Sequence, residues 1–344
     1  MEPIKEPKPL VLLSSSPHMH CDLTISKSMR EVMLALVPAV LASVYYFRVD
    51  AVIVIACTMI SAVIFEMLSN KVMGKKNTTS DGSAALTGLL LALCLPASLP
   101  PYMAVLGGMF AIVVGKAVFG GLGRNIFNPA HIGRAILLAS FPQQMTTWVI
   151  PATKAMATTA ATASADAMTA ATPLAVMRAT EKIWQAGGAA AAAQLPPLSD
   201  LFIGNVGGSL GETCVPALVL GGLYLIYKKL IDWRIPVFYL LTVAIVTGIY
   251  GTVMGYPAAF PLYHLFAGGL MIGAFFMATD WVTSPITKKG RIIYAIGLGL
   301  LTSLIRLRGS YTEGVCYSIL MMNMVVPMID RFVRNVSFGG GLKK

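Results

Sequence analysis

Apolar stretches alternate with short polar segments along most of this chain. A helix of about 20 apolar residues crosses the ~30 Å hydrocarbon core of a bilayer, and several of these stretches reach about that length. The pattern therefore predicts an all-α integral membrane protein with about ten transmembrane helices. The predicted spans cover residues 31–48, 51–69, 84–99, 102–120, 128–141, 213–227, 235–253, 262–279, 291–305 and 313–330.

Two of these stretches, 84–99 and 128–141, are short for a full crossing, and Gly and Pro interrupt several others. Helices that stop inside the bilayer are tolerated only where the freed backbone groups face protein or a cavity. We therefore expect some of the spans to be tilted, broken or half-length.

Five predicted spans precede a long segment at residues 142–212, and five follow it. An odd number of spans per half inverts the second half, so an internal repeat would be a 5+5 inverted repeat of the kind known in transporters. The predicted divisions are an N-terminal segment 1–30, a first half 31–141, the loop 142–212, a second half 213–332 and a tail 333–344.

Basic residues are distributed unevenly between the two ends of the predicted spans. With a cytoplasmic N-terminus, eighteen of the 26 lysines and arginines fall on the cytoplasmic side and six on the other. Cytoplasmic loops carry an excess of Lys and Arg. The distribution predicts a multi-pass protein with both termini in the cytoplasm and the loop 142–212 outside.

Composition agrees with a membrane protein and argues against other classes. Only 12% of the residues are charged, about half the usual share in soluble domains. The net charge of +11 is accounted for by the topology, so we expect no nucleic-acid partner. The five cysteines occur singly without the spacing of metal ligands, which predicts no metal site.

The loop contains the segment Asp166-Ala-Met-Thr169-Ala-Ala-Thr172-Pro173 within an Ala/Thr-rich stretch. From composition alone this is a linker that ends in a turn. No base stands beside either threonine in the sequence, which argues against a catalytic nucleophile. The segment also resembles the flavinylation motif Asp-x-x-Ser/Thr-Gly/Ala-Ala-Thr, with Ala170 at the position where many relatives carry glycine.

Further motifs occur in order along the chain and at span ends. Together they resemble the D subunit of the Rnf ion-translocating electron-transport complex, whose sister family is the B subunit of the sodium-translocating NADH:quinone reductase. The motifs are Ser14–His18, Ser80–Gly88, Leu95-Pro96, Leu99–Pro101, Gly120–Ala130, Ala278–Pro285, Gly314-Val315 and Asn323.

The resemblance implies a redox subunit that carries FMN through a phosphoester on the last threonine of the motif. Electrons would pass between ferredoxin and NAD, coupled to sodium or proton translocation in a bacterial inner membrane. The sister family adds a non-covalent riboflavin near the inner face. Implied partners are Rnf subunits C, G, E, A and B, membrane lipid and a flavin transferase. The implied cofactor-binding residues are Thr172, Asp166, Thr169, Ala171, Asn125, Asn128, Asp280 and Thr283.

The residues alone leave other interpretations open. Hydropathy alone would favour a channel or secondary transporter with an inverted repeat. A third alternative is a structural anchor for soluble redox proteins. Asn128-Pro129 predicts the start of a helix, with Asn as the cap and Pro in the first position. Glu66, Lys116, Arg134 and Asp330 lie inside spans, where ionisable residues either serve function or extend to the interface.

Overall fold

The computed structural model describes residues 24–75, 77–151, 171–180, 195–309 and 311–334. These residues form helices joined by turns and loops, and a single bridge between Pro96 and Ser209 is the one β-type pairing among them. The prediction of an all-α protein is confirmed for this part of the chain.

The first half begins earlier than its apolar stretch does. Helix α1 starts at Ile25 because the Thr24 hydroxyl caps it, accepting from the Lys27 amide at 3.2 Å. Its backbone leaves helical geometry at Arg48 (φ 53°), where the first two predicted spans meet. The helices of this half are α1 (Ile25–Val72), α2 (Ser83–Leu93), α3 (Pro101–Ile112), which continues as a π-helical turn (Val113–Ala117), and α4 (Pro129–Ser140).

The central segment contains short helices, and the second half contains longer ones. The short helices are α5 (Pro142–Met145), α6 (Pro173–Ala179) and α7 (Leu198–Ile203). The second half comprises α8 (Val215–Tyr227), α9 (Arg234–Met254), α10 (Phe260–Phe266), α11 (Leu270–Ile272) with a π-helical turn (Gly273–Met277), α12 (Lys288–Arg308) and α13 (Val315–Phe332).

Four described helices, α1, α9, α12 and α13, are long and apolar enough to cross a membrane. The pair α10 and α11 meets the same criterion as a single span, bent by 65° at a short break. The chain is thus a multi-pass membrane protein, and we use the name broken span for the bent pair Phe260–Met277, whose geometry also suits a re-entrant loop. A helix occupies each of the ten predicted stretches. Several are too short to count as crossings by themselves, so the number ten and the inverted repeat stay predictions.

Small residues bring the helices together, as is usual within membranes. A Cβ atom on Gly88 of α2 would lie 2.7 Å from the Cα of Met59, so only glycine permits this contact with α1. Large apolar side chains instead cover the outward faces, where lipid can solvate them. Examples are Leu34, Leu41, Ile60 and Ile64 of α1, and Leu241, Ile245, Ile249 and Val253 of α9.

The end of the predicted outer loop packs into the core. Leu210 is fully buried, and its backbone amide donates to the Leu95 carbonyl at 3.0 Å. The Ser43 hydroxyl of α1 lies 2.6 Å from the Leu210 carbonyl. These bonds satisfy the backbone of a short 3₁₀-helical turn (Leu210–Glu212) that would otherwise be costly to bury.

Candidate functional site

The last threonine of the flavinylation motif begins a helix. Thr172 has an extended backbone (φ −64°, ψ 152°), and its Oγ1 accepts from the Ala175 amide at 3.3 Å. Pro173 occupies the first helical position, where its missing N–H costs nothing. Thr172 is half-buried, and Ala171 before it is exposed. Asp166 and Thr169 lie outside the described residues.

Helix α6 is held against the broken span by its apolar face. Leu174 and Met177 are buried in a cluster with Tyr256, Phe260 and Ala267. The contact falls at the break between α10 and α11, where Gly268 has φ +71°. A Cβ on this glycine would come within 2.9 Å of the Leu174 Cδ1, so the close approach of α6 requires glycine here.

A buried arginine fixes the backbone at this break. Arg306, in the last turn of α12, donates through Nη2 to the Ala267 carbonyl at 3.2 Å, and through Nη1 to the His264 carbonyl. Its Nε donates to the Glu313 carbonyl at 2.9 Å. The predicted topology counts Arg306 among the basic residues of the outer side, but it is buried, because three carbonyls freed by breaks in the helices satisfy its guanidinium.

A buried ion pair next to this arginine joins the two halves of the chain. Arg134 of α4 donates through Nη1 to Glu313 Oε1 at 3.0 Å, and its Nη2 contacts Oε2. This is the paired, fork-like geometry that arginine and carboxylate favour. Glu313 lies just before α13, so the pair connects the first half to the second. Charge pairing accounts for an arginine inside a span.

The space between α6 and the broken span is small. A cavity of about 30 Å³ lies among Leu174, Met177, Arg178, Tyr250, Tyr256, Phe260, His264, Arg306, Leu307 and Thr312. That volume is on the scale of a single water molecule. The packed interface beneath α6 therefore has no room for a tricyclic ring.

Asn128, Asp280 and Thr283 come together at the other end of the broken span. Asn128 Oδ1 accepts from the Ala130 amide at 3.0 Å, which confirms the predicted cap of α4. Its Nδ2 donates to the Met277 carbonyl at 3.3 Å. The Thr283 hydroxyl donates to Asp280 Oδ2 at 3.0 Å.

Asn323 of α13 connects these residues. In the amide orientation that satisfies both of its ends, the nitrogen donates to the Thr283 carbonyl at 3.2 Å and the oxygen accepts from the Asn128 amide at 3.1 Å. The sequence identifies Asn323 only as a motif position and does not indicate this role. The one signal for it is an asparagine in the middle of an apolar stretch.

Asn125 contacts a residue that is close to it in the sequence. Its Nδ2 donates to the Phe127 carbonyl at 3.1 Å, while its buried Oδ1 has no hydrogen-bond partner among the described residues. Asn125 therefore shapes the turn before α4.

A larger cavity of about 590 Å³ opens at the same end as the Asn128 cluster. Its wall includes Asp232, whose carboxylate accepts from Arg291 at 2.7 Å and from Arg234 at 2.9 Å. Burial opposes ionisation of Asp232, but hydrogen bonds from the Arg234 amide and both guanidinium groups lower its pKa overall. Thr279, Trp281 and Ser284 form another part of the wall.

The predicted cofactor residues thus occupy two places. Thr172 begins the helix that packs against α10 and the break after it, and Asn128, Asp280 and Thr283 lie near the Met277 end of the broken span. The structure therefore divides the predicted cofactor residues into two groups along this segment.

Comparison with known proteins shows the family to which this chain is similar. A family model described as the NQR2, RnfD, RnfE family matches residues 12–339. The D subunit of the proton-translocating ferredoxin:NAD(+) oxidoreductase complex of Clostridium ljungdahlii is 50% identical over 334 residues, which cover 96% of this chain and 97% of that protein.

Two further relatives carry names of the same kind. The D subunit of the Na(+)-translocating ferredoxin:NAD(+) oxidoreductase complex of Acetobacterium woodii is 44% identical over 330 residues, 95% of either chain. The D subunit of the ion-translocating oxidoreductase complex of Stutzerimonas stutzeri is 40% identical over 332 residues, 92% of either chain. With matches over nearly its whole length, the chain belongs to the NQR2, RnfD, RnfE family.

Proposed function

We propose that this chain is the D subunit of an ion-translocating ferredoxin:NAD+ oxidoreductase complex and that it carries FMN covalently on Thr172. The observation that carries the proposal is the position of this threonine. It ends the flavinylation motif, is half-exposed, and caps a helix that packs against the broken span. The names of the relatives favour an oxidoreductase subunit over a channel or a passive anchor.

The surroundings of Thr172 suit covalent modification by a separate flavin transferase. Its hydroxyl has one weak backbone contact, at 3.3 Å. Thr180, at the other end of α6, is buried, and its hydroxyl donates to the Val176 carbonyl at 2.8 Å. The transferase can therefore reach Thr172 more easily than Thr180.

FMN supplies one- and two-electron transfer when it is attached. The chain itself would determine the position of the FMN. Thr172 would hold the phosphate, and Leu174 and Met177 fix the attachment point against the broken span. Because the cavity beneath α6 is so small, the ring would remain outside this packed interface, open to a partner subunit. A tether also holds the cofactor at a high local concentration.

A second, non-covalent flavin, riboflavin, would occupy the opposite end. The support is the cavity of about 590 Å³, a size within the range of ~300–1,000 Å³ for small-molecule sites. Trp281 and the hydroxyls of Thr279 and Ser284 could contact a ring there. Acid precipitation of the purified protein should release riboflavin from wild type and much less from Thr279→Val. Equal release from both would argue against this site.

The proposed topology has ten spans in a 5+5 inverted repeat, with both termini in the cytoplasm of a bacterium. The basic-residue distribution supports it. So does the length of α1, whose 48 residues correspond to about 72 Å of helix, enough for two crossings. Rnf subunits C, G, E, A and B would be the partners of the chain in the complex.

In-gel fluorescence tests whether FMN is attached covalently to Thr172. Denatured wild-type protein from cells that contain the transferase should fluoresce under ultraviolet light, and Thr172→Ala should not. Thr147→Ala, an exposed threonine outside the motif, is the matched control and should fluoresce fully, while Thr169→Ala should keep some signal. A colourless wild type would instead favour the channel interpretation.

A further inference from the structure

A second buried ion pair lies in the first half of the chain. Lys116 Nζ is 2.6 Å from Glu66 Oε1, and each side chain is only 4% exposed. Lys116 belongs to the π-helical turn that ends α3, and Glu66 lies on α1, two turns before its end. Charges inside a span are costly, and π-helical turns often occur at functional sites.

The pair is incompletely satisfied. Glu66 Oε1 accepts from Lys116 and from the Thr78 hydroxyl at 2.9 Å. Its other oxygen, Oε2, is buried and has no hydrogen-bond partner within the described part of the chain. Lys116 also donates to Ser83 Oγ at 2.6 Å. The carboxylate therefore has one oxygen, Oε2, without a hydrogen bond in the described part of the chain, and its two contacts are both to Oε1.

Two short hydrogen-bonded connections link the pair to the surface. Thr78 is exposed and touches Glu66 directly. Ser83 Oγ donates to Asp81 Oδ1 at 2.6 Å, and Asp81 is partly exposed. Lys75 approaches the same surface, where it donates to the Gly120 carbonyl at 2.7 Å. Asp81 and Lys75 are the other charged groups with hydrogen bonds around this opening among the residues described.

The contact between α1 and α3 does not depend on the pair. Apolar residues of equal volume usually stabilise a buried site at least as well as an ion pair does. Helices α1 and α3 already touch through Gly108, where a Cβ would lie 2.0 Å from Ser61 Oγ. A metal cation does not suit the place either, because the Lys116 ammonium already lies between Glu66 Oε1 and Ser83 Oγ.

We infer that Glu66 and Lys116 form a proton-loading site that exchanges one proton with the surface through Thr78. The Thr78 hydroxyl passes its proton along its hydrogen bond to Glu66 Oε1 and takes one from a hydronium ion at the surface, which becomes water. The pair changes from neutral to singly positive, and no electrons move in this step. The opening is on the predicted cytoplasmic side. This inference rests on the proposed function, since the complex must supply the driving force.

The test uses the assembled complex in membrane vesicles. Ferredoxin-driven NAD+ reduction is followed by absorbance, proton uptake by a pH-sensitive dye, and carboxyl protonation by redox-difference infrared spectra in water and D2O. Glu66→Gln is compared with Glu31→Gln. Glu31 is also an α1 acid, with a tyrosine hydroxyl and a lysine as partners, but it is less buried.

A second pair of variants tests the exposed Thr78 hydroxyl, which also accepts from Asn70 Nδ2 at 2.9 Å. Thr78→Val is compared with Thr79→Val, a neighbour whose hydroxyl donates to Asn77 rather than to Glu66. We expect Thr78→Val to slow proton uptake by at least about tenfold, which is less than the rate factor that a positioned proton-transfer group usually contributes. Thr79→Val should match wild type.

We expect Glu66→Gln to lose proton uptake and a deuterium-sensitive carboxyl band, with in-gel flavin fluorescence intact. Unchanged proton uptake per electron in both Glu66→Gln and Thr78→Val would overturn the inference while leaving the proposed function standing. Uptake of sodium and not of protons by the wild-type complex would have the same meaning. A wild-type chain with neither flavin nor ferredoxin-driven activity would remove both proposals.

Discussion

Neutralising Glu313 should destabilise the chain strongly. The variant Glu313→Gln keeps the side-chain shape but leaves the Arg134 guanidinium without its counter-ion. Breaking a buried pair from one side costs about 3–5 kcal/mol. Because the Glu313 side chain retains 20% exposure while that of Arg134 retains 5%, we expect the lower end. About 3 kcal/mol corresponds to roughly a hundredfold in the unfolding equilibrium constant.

Unfolding by SDS in mixed micelles, followed by tryptophan fluorescence, measures this loss. The double variant Arg134→Met/Glu313→Leu removes both charges and should recover to within about 1 kcal/mol of wild type. Lys228→Gln is the control, because Lys228 pairs with Glu31 at 3.7 Å while 43% exposed, and such pairs contribute less than about 1 kcal/mol. A smaller loss in Glu313→Gln than in Lys228→Gln would refute the reasoning.

Two further predictions concern the two ends of the broken span. Gly268→Ala should lower the free energy of unfolding by about 1–3 kcal/mol. The backbone φ of +71° disfavours a side chain, and the added Cβ would lie 2.9 Å from both Leu174 and Arg306. The expected result is faster proteolysis next to α6 while FMN stays attached. At the other end, the pKa of the Asp232 carboxyl is lowered in the folded protein. The carboxylate therefore keeps its arginine contacts at any pH above about 4, the usual pKa of aspartate. These contacts are lost only as the pH falls through the lower pKa of the folded state. Trp281, which donates to the Leu230 carbonyl at 2.6 Å, should report that loss by fluorescence, and Asp232→Asn should abolish the change.

Local patterns predicted the helices well because the hydropathy of a span is a property of consecutive residues. They located the break at Arg48 and the cap at Asn128. They missed the start of α1 at Ile25, because Lys27 and Arg30 make that turn look polar although Thr24 caps it. Helix starts depend on single side-chain contacts, which hydropathy averages out.

Contacts between residues far apart in the chain could not be predicted from the sequence. Nothing near Leu210 indicates that its carbonyl meets Ser43, 167 residues away. Arg134 and Glu66 were both identified as ionisable residues within spans, but their partners were not. Glu313 lies 179 residues from Arg134, and its place at the start of the last predicted span, 313–330, did not indicate a partner. The motif residues were found individually, yet their division between two ends of one span required the structure.

The two buried ion pairs differ in what explains them. The pair Arg134–Glu313 joins the two halves of the chain, so it fixes their relative position. The pair Glu66–Lys116 lies between helices that already pack closely at Gly108, so those two helices do not need it to stay together, and its other contacts are to Thr78 and Ser83. We therefore expect Glu66→Leu/Lys116→Met to be at least as stable as wild type in the SDS assay, and yet to lose proton uptake. A clear loss of stability in this variant would show that the pair is structural.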